Sequence, residues 1–473
     1  MKKLFKIGRI SLLAIAIASL SSCGDYFDLT DNPNLVQDPP LNSLLTTSTH
    51  KAAFNNYRIA SINSFYVQYQ ASSSAGSDTD TYQITDNSTT WNNIFYALAD
   101  LYDYMVRSEE QKAYHHLAVS QALTAYQLGL AADTWGSVPF SLAFGKEPSL
   151  NVPYDSEEDV YAAQLDLINK ALENFARTDG TQELLATSDL LNGGDIDRWI
   201  MFTQGLRARL LNKVSKKSNY NATQVLDATS KSLESNADDV GMSTYDGVNP
   251  WASIARSNLQ NLLGGWLSKN LIDHLNGTKY TVVDPRISKI TEKTVDGIYV
   301  GTRNGEGNTG AANTVRDECY ISFNSPLTSD ASPLSIITYA EVKMIEAEAA
   351  FRSNNKPLAF SSFIDGIKAN MDKLGVAPAD QTAYLTAKAI TAANLTLADI
   401  FREKYVITYL NSEAWNDARR YDYGYKNFQL PVNSNLNGAY IRRVAYPGDE
   451  YKENGNNVPE QMPLSTNLWW DKP

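Results

Sequence analysis

Two cysteines and four histidines leave this 473-residue chain little with which to bind a metal or close disulfides. They form no His-Glu-x-x-His pair and no Cys-x-x-Cys, so metal catalysis has no visible ligand set. Gly-x-Ser-x-Gly and Gly-x4-Gly-Lys-Ser/Thr are missing too, which removes the hydrolase elbow and the phosphate-binding loop. Positive charge is in deficit: 41 Lys and Arg against 53 Asp and Glu give a net charge of -12. That sign argues against nucleic acid, whose phosphates need a basic footprint. Beyond the first 20 residues, no stretch approaches the ~18 consecutive apolar residues of a membrane span. No metal, cofactor or nucleic acid is expected.

What is present begins at the N-terminus. Lys2, Lys3, Lys6 and Arg9 precede a compact apolar run from Ile10 to Leu20, followed by Ser21, Ser22 and Cys23. The run is too short to cross ~30 Å of hydrocarbon, so residues 1–22 read as a secretory signal and 23–473 as the mature chain, a single domain. The Leu-Ser-Ser-Cys ending resembles a bacterial lipobox, which implies cleavage before Cys23 and lipid on that cysteine. Several acyl chains on one residue anchor stably where one does not, at ~0.8 kcal/mol per buried CH2. A lipidated Cys23 leaves Cys319 without a partner, and a large core dispenses with the disulfide. The acidic leader at 24–34 reads as a tether; its Asp25, Asp28 and Asp31 lack the glycine and closing glutamate of a calcium loop.

The body of the chain has helical periodicity. Tyr161, Leu165, Ile168, Leu172 and Phe175 share one face, with Ser156 and Asp159 supplying a capping box. Trp199, Phe202, Leu206, Leu210 and Val214 form a second stripe, and Ile336, Ala340, Met344, Ala347 and Phe351 a third. Thr396 and Asp399 open a further helix. The stretches pair as 91–106 with 113–132, 159–176 with 198–214, and 335–352 with 359–374. Ala118, Ala122, Ala125 and Gly129 allow close helix approach. The expectation is a mainly α, tetratricopeptide-like scaffold of helix pairs, each burying its face against neighbours.

Two stretches break that pattern. Residues 72–90 are rich in Ser, Thr and Asp and read as a loop. Residues 245–333 form a long, loop-rich, partly β excursion, and such insertions are usually functional. Within it, Gly305-Glu306-Gly307-Asn308-Thr309-Gly310 matches Gly-x-Gly-x-x-Gly, but no βαβ pattern surrounds it, so it reads as a glycine-rich surface loop. Glycosidase chemistry needs two carboxylates at a set distance. Glu341, Glu346, Glu348 and Glu403 are expected on solvated helix faces rather than in a cleft.

Several segments together resemble the SusD/RagB family of Bacteroidetes surface lipoproteins, in its SusD-like second subgroup. They are Ala132-Asp133-Thr134-Trp135-Gly136-Ser137-Val138-Pro139-Phe140, Asp284-Pro285-Arg286, and the Ala/Glu-rich stretch from Tyr339 to Ala349. Glu403-Lys404-Tyr405, Glu413-Ala414-Trp415-Asn416-Asp417-Ala418-Arg419-Arg420, Ile441-Arg442-Arg443, Tyr446-Pro447 and Trp469-Trp470-Asp471 complete the series. In physical terms most of these read as architecture: a helix end at Gly136, an ion pair from Asp417 to Arg419 or Arg420, and Trp469 and Trp470 locking the C-terminus.

The resemblance implies a non-enzymatic, outer-membrane, cell-surface protein that captures a nutrient, usually a glycan and sometimes a peptide. It also implies a SusC-like TonB-dependent transporter as partner and a tether through the Cys23 lipid. Aromatic excess, with 27 Tyr, 8 Trp and 15 Phe, suits ring stacking on sugars, though most aromatic residues are core. Trp91 and Asn92, behind the polar loop with Asp80 and Tyr82, are the leading ligand candidates. Tyr299, Tyr320, Trp266 and Trp251 in the excursion follow. An oligopeptide site would instead present a cleft of Asn and Arg, and a hydrolase on the same scaffold would show turnover.

Overall fold

Capping side chains set the helix boundaries. The computed structural model describes residues 38–146, 151–260, 264–309 and 316–472; the lipobox and the acidic leader lie outside them. Ser156 accepts from the Asp159 N–H at 3.1 Å. Thr396 accepts from the Asp399 N–H at 3.2 Å, while the Asp399 carboxylate accepts from the Thr396 N–H at 3.0 Å. Thr396 and Asp399 form a reciprocal cap, whereas the Asp159 carboxylate accepts from the Ser156 hydroxyl at 2.6 Å, and each cap satisfies an amide that a helix start leaves without a partner.

The order opens with α1 (Leu41–Tyr66), α2 (Ser88–Glu110), α3 (Tyr114–Trp135), α4 (Glu157–Phe175), α5 (Ile196–Lys213) and α6 (Ala222–Thr229). Then come β1 (Val240–Met242), α7 (Pro250–Leu259), α8 (Lys269–Leu275), α9 (Ile287–Ile290) and β2 (Leu334–Ile337). The chain closes with α10 (Tyr339–Arg352), α11 (Lys356–Lys373), α12 (Pro378–Lys388), α13 (Leu397–Ile407), α14 (Glu413–Arg420) and α15 (Gly448–Glu453). Leu41–Pro473 is one compact unit; of Met1–Pro40 only residues 38–40 are described.

The expected pairs are present. Helix α3 packs on both α2 and α4, α4 on α5, and α10 on α11. Helix α3 is buried along almost its whole length, and its small residues set the distance to α4. A Cβ on Gly129 would sit 2.8 Å from Gln164 Nε2, which itself donates to the Ala125 carbonyl at 2.9 Å. One apolar core joins α1 to α5 with α13 and α14, and a second gathers Met344, Phe363, Ile367 and Ile400. On α1, the buried face carries amides: Asn55 donates to Gln127 at 3.1 Å, Asn56 to the Ser335 carbonyl at 2.9 Å, and Asn63 to the Ser412 carbonyl at 2.9 Å.

Three expectations need correction. The third stripe does not start a helix at 335. Leu334–Ile337 is a strand, antiparallel to Val240–Met242, and α10 begins after Thr338, whose hydroxyl accepts from the Glu341 N–H at 3.2 Å. Within 245–333, the described residues hold short helices and single bridges (Trp266 to Tyr320, Ser268 to Thr302) rather than strands. The loop at 72–90 ends earlier than expected, because α2 starts at Ser88.

The glutamates are a fourth correction. Glu341, Glu348 and Glu403 are buried, not solvated. Arg209 meets both Glu341 oxygens at 2.8 Å. Arg420 meets both Glu348 oxygens at 2.7 and 2.8 Å and Asp417 at 2.6 Å. Arg286, in the Asp-Pro-Arg motif, joins Asp284 and Glu403 at 2.5 Å, and Lys388 takes the other Glu403 oxygen at 2.6 Å. Burial alone would raise the Glu348 and Glu403 carboxyls. Arg420 and Lys404 beside Glu348, and Lys388 and Arg286 beside Glu403, hold both well below the ordinary value. Glu346 is half-buried and accepts from Ser362 at 2.7 Å. The alanine-rich helices approach so closely that their polar faces meet one another, and each carboxylate enters with its cation.

Of the two arginines offered to Asp417, Arg420 takes it. Arg419 lies over the Trp415 ring at 3.8 Å and the Trp470 ring at 4.8 Å, and donates to the Asp133 and Arg442 carbonyls at 2.7 and 2.8 Å. Trp470 is buried with Val214 and Leu468, so the C-terminal segment is tied to the body.

Candidate ligand-binding cleft

A cleft of ≈ 190 Å³ opens where α8, residues 302–305 and residues 427–430 converge near the end of α1. Each wall is fixed by a hydrogen bond to another segment. Gln68, just after α1 in a left-handed conformation (φ 57°), donates to the Gln429 carbonyl at 2.6 Å. Ser268 caps α8 and donates to Asn304 Oδ1 at 2.7 Å. Asn270 donates to the Tyr405 hydroxyl at 2.8 Å, which leaves its Oδ1 to accept from the Lys279 ammonium.

The 302–305 wall is held from behind. Asn304 Nδ2 donates to the Gln70 carbonyl and to Asp80 Oδ1, both at 2.8 Å. The second Asp80 oxygen accepts from the Ser72 and Gly305 N–H groups at 2.9 and 3.0 Å. Burial lifts the Asp80 carboxyl above its ordinary value while these donors work against the rise. Gly305 has φ +81°, and a Cβ there would lie 2.2 Å from the Val432 carbonyl oxygen. The glycine-rich loop therefore exists to let backbones approach, as a loop and not a nucleotide site; Gly310 lies outside the described residues.

The lining is polar. Asn270, Asn304, Asn427, Gln68 and Gln429 offer amides, and Lys269, Lys279 and Arg303 offer cations. Asp273 is the one carboxylate among the lining residues, and Lys269 pairs with it at 2.8 Å. Burial pulls the Lys279 ammonium down to about 8. Paired donors and acceptors of this kind suit a ligand with many hydroxyl or amide groups. No aromatic ring lines the cleft, and it lacks the two carboxylates that glycoside hydrolysis uses.

The residues singled out from sequence separate into groups. Asp80 is buried behind the wall and holds it from there, and Tyr82 is buried edge-on to Tyr66 at 6.0 Å, so neither faces a ligand. Trp91 is not an exposed platform. Its ring is 2% exposed, it meets Trp135 edge-on at 5.1 Å, and its Nε1 donates to Glu450 at 3.0 Å. Tyr154 donates to the other Glu450 oxygen at 2.6 Å, so α15 covers that spot. Asn92 is half-buried on α2. Trp266 and Tyr320 pack against each other at 4.6 Å and 90°, both buried. Trp251 is buried edge-on to Tyr57 at 4.8 Å. Tyr299 alone of these aromatics is only half-buried, with the Lys293 ammonium 5.8 Å from its ring.

Sequence reasoning passed over the amides and cations that line the cleft, because single Asn, Gln and Lys residues in loops carry no periodicity. It also passed over a groove of ≈ 230 Å³ beside Tyr102, Phe140 and Phe144, where Lys146 stands 5.2 Å from the Phe140 ring. Among the described residues, no group of three or more His, Cys, Asp or Glu could hold a metal ion. No helix among them is long and apolar enough to cross a membrane. Cys319 is buried, and burial raises its thiol to about 11.

A family profile described as "Starch-binding associating with outer membrane" (SusD-like) matches residues 33–447. No curated protein matches the chain. Among solved structures, a SusD/RagB family protein from Bacteroides thetaiotaomicron is 20% identical over 92% of this chain and 99% of its own, with a TM-score of 0.74. A chitin-binding SusD homologue from Flavobacterium johnsoniae is 21% identical over 90% of this chain and 98% of its own, at 0.75. A homologue from Parabacteroides distasonis is 22% identical over 91% and 97%, at 0.73. At such identities the likeness is one of fold.

Proposed function

The chain belongs to the SusD-like family, and from that membership we propose that it is a cell-surface nutrient-binding protein that captures a glycan without cleaving it. The observation that carries this reading is the cleft in which amides and cations from four separate segments converge. The description of the family and the chitin-binding homologue of like fold support a glycan over other polyols. The buried pairing of Glu341, Glu348 and Glu403, and the single paired carboxylate of the cleft, support binding over hydrolysis.

A SusC-like TonB-dependent transporter is the partner in this reading, and lipid on Cys23 is the anchor in the outer membrane. The lipid would keep the binding protein beside the transporter at high effective concentration through cycles of opening. An oligopeptide is the second reading, favoured by one observation: the lining is made of Asn, Gln, Lys and Arg and lacks an aromatic platform. Calorimetry on the mature chain in detergent, against a polysaccharide and oligopeptide panel, decides between them. Glycan binding that falls about tenfold or more in Asn304→Ala supports the proposal. Binding to peptides alone favours the second reading, and binding to neither overturns both.

A further inference from the structure

Lys279 is the one buried cation of the cleft that lacks a carboxylate. Its side chain lies in a residue only 5% exposed, and among the described residues its hydrogen-bond acceptor is the neutral Oδ1 of Asn270. Many other buried cations are met by carboxylates, Arg209 by Glu341, Arg286 by Asp284 and Glu403, Arg420 by Glu348 and Asp417, while Arg419 and Arg402 lie over the Trp415 and Tyr280 rings. An ammonium removed from water costs several kcal/mol unless an opposite charge meets it. Asp273 is close enough to act on Lys279 but is already bound to Lys269 at 2.8 Å. Across the opening, Arg303 is exposed and makes no ion pair among the described residues. The lining thus holds three cations against one carboxylate, on a chain whose net charge is -12.

We propose that the ligand carries a negative charge, and that the cleft takes an anionic oligosaccharide whose carboxylate or sulfate meets Lys279 and Arg303 while the amides bind its hydroxyls. This rests on the glycan reading above. Lys279 supplies a point charge at the floor, and Arg303 supplies a planar fork at the rim that matches a carboxylate in two hydrogen bonds. The ammonium remains charged at neutral pH, because burial brings it down only to about 8. An entering anion would replace the missing counter-charge, so binding gains where a neutral sugar would leave the ammonium unmatched.

The test is calorimetry with the mature chain against oligogalacturonate, its fully methyl-esterified neutral form, a sulfated oligosaccharide and oligoglutamate. The expected result is at least ~10-fold tighter binding of one anionic sugar than of the neutral ester. That preference disappears in Lys279→Met and weakens in Arg303→Ala. Methionine fills the same volume without a buried charge, and Arg303 is exposed, so the two variants do not share a folding risk. Preference for uronate or for sulfate identifies the anion. Equal binding of acid and ester overturns the anionic inference and leaves the glycan reading standing. Oligoglutamate bound in place of every sugar overturns the glycan source, and no binding by any sugar or peptide overturns both.

Discussion

Glu413 opens α14 inside the core, where it lines a cavity of ≈ 40 Å³ with Tyr126, Arg209 and Trp415. Its carboxylate accepts from Asn416 at 2.8 Å, but the Arg209 guanidinium is committed to Glu341 and stands 3.7 Å away. Burial therefore dominates and raises the carboxyl from 4.5 to about 7, against the pull of Arg209 and Lys213 and with Asp417 and Glu341 adding to the rise. Below pH 4.5 both folded and unfolded chains bind the proton, and the group's contribution is fully present. As pH rises toward 7 only the folded chain keeps it, so stability falls across that window. The loss is at most ~3 kcal/mol, from ~1.4 kcal/mol per pH unit over the gap. Glu413→Gln keeps the shape and the Asn416 contact but cannot titrate. Urea midpoints for both proteins, measured at steps from about pH 4.5 to about pH 8, should diverge, the variant gaining on the wild type until about pH 7 and then running parallel. Curves that stay parallel throughout would refute the claim that burial outweighs Arg209 at this carboxyl.

Three further substitutions bear on the cleft and on the residues expected to bind ligand. Gly305→Ala places a Cβ 2.2 Å from the Val432 carbonyl oxygen at φ +81°, so it should lower the melting temperature and weaken ligand binding by displacing Asn304. Gly375→Ala, at φ +67° with nothing within 4 Å, is the control and should cost only about 1 kcal/mol. Trp91→Phe loses the hydrogen bond to Glu450 and should cost about 1–2 kcal/mol in urea unfolding with ligand affinity unchanged; a loss of affinity would return Trp91 to the binding surface.

Helices whose buried face is apolar were legible in the sequence, and their caps at Ser156 and Thr396 were legible to the residue. Helix α1 was not, because much of its buried face is Ser48, Thr49, Asn55, Asn56 and Asn63, which a hydrophobic pattern counts as exposed. The same rule misplaced Glu341, Glu348 and Glu403, which meet Arg209, Arg420 and Arg286 from segments far along the chain. It also made aromatic content look like binding surface. Trp91, Trp251, Trp266 and Tyr320 each satisfy another ring or a carboxylate in the interior. The excursion contributes α8 and residues 303–304 to the candidate cleft, whereas the amides that line it leave no pattern to read.

The misread polar residues and the cleft have a common physical basis. This fold buries ionised groups freely, but among the strongly buried ion pairs each charge is met by an opposite one on a neighbouring element, which keeps the desolvation cost bounded. Against that regularity an unmatched buried ammonium stands out in a way that it would not in a protein with many loose charges. The buried carboxylates of α10 and α13 are met across elements, Glu341 by Arg209 of α5, Glu348 by Lys404 and Arg420, and Glu403 by Arg286 and Lys388, and so present nothing for a ligand to complete. Lys279 is left open on the one wall that faces a cleft, with Asn270 turned toward it by Tyr405. In the proposed reading a ligand anion supplies the counter-charge that Lys279 lacks, which would tie the stability of the cleft floor to its occupancy.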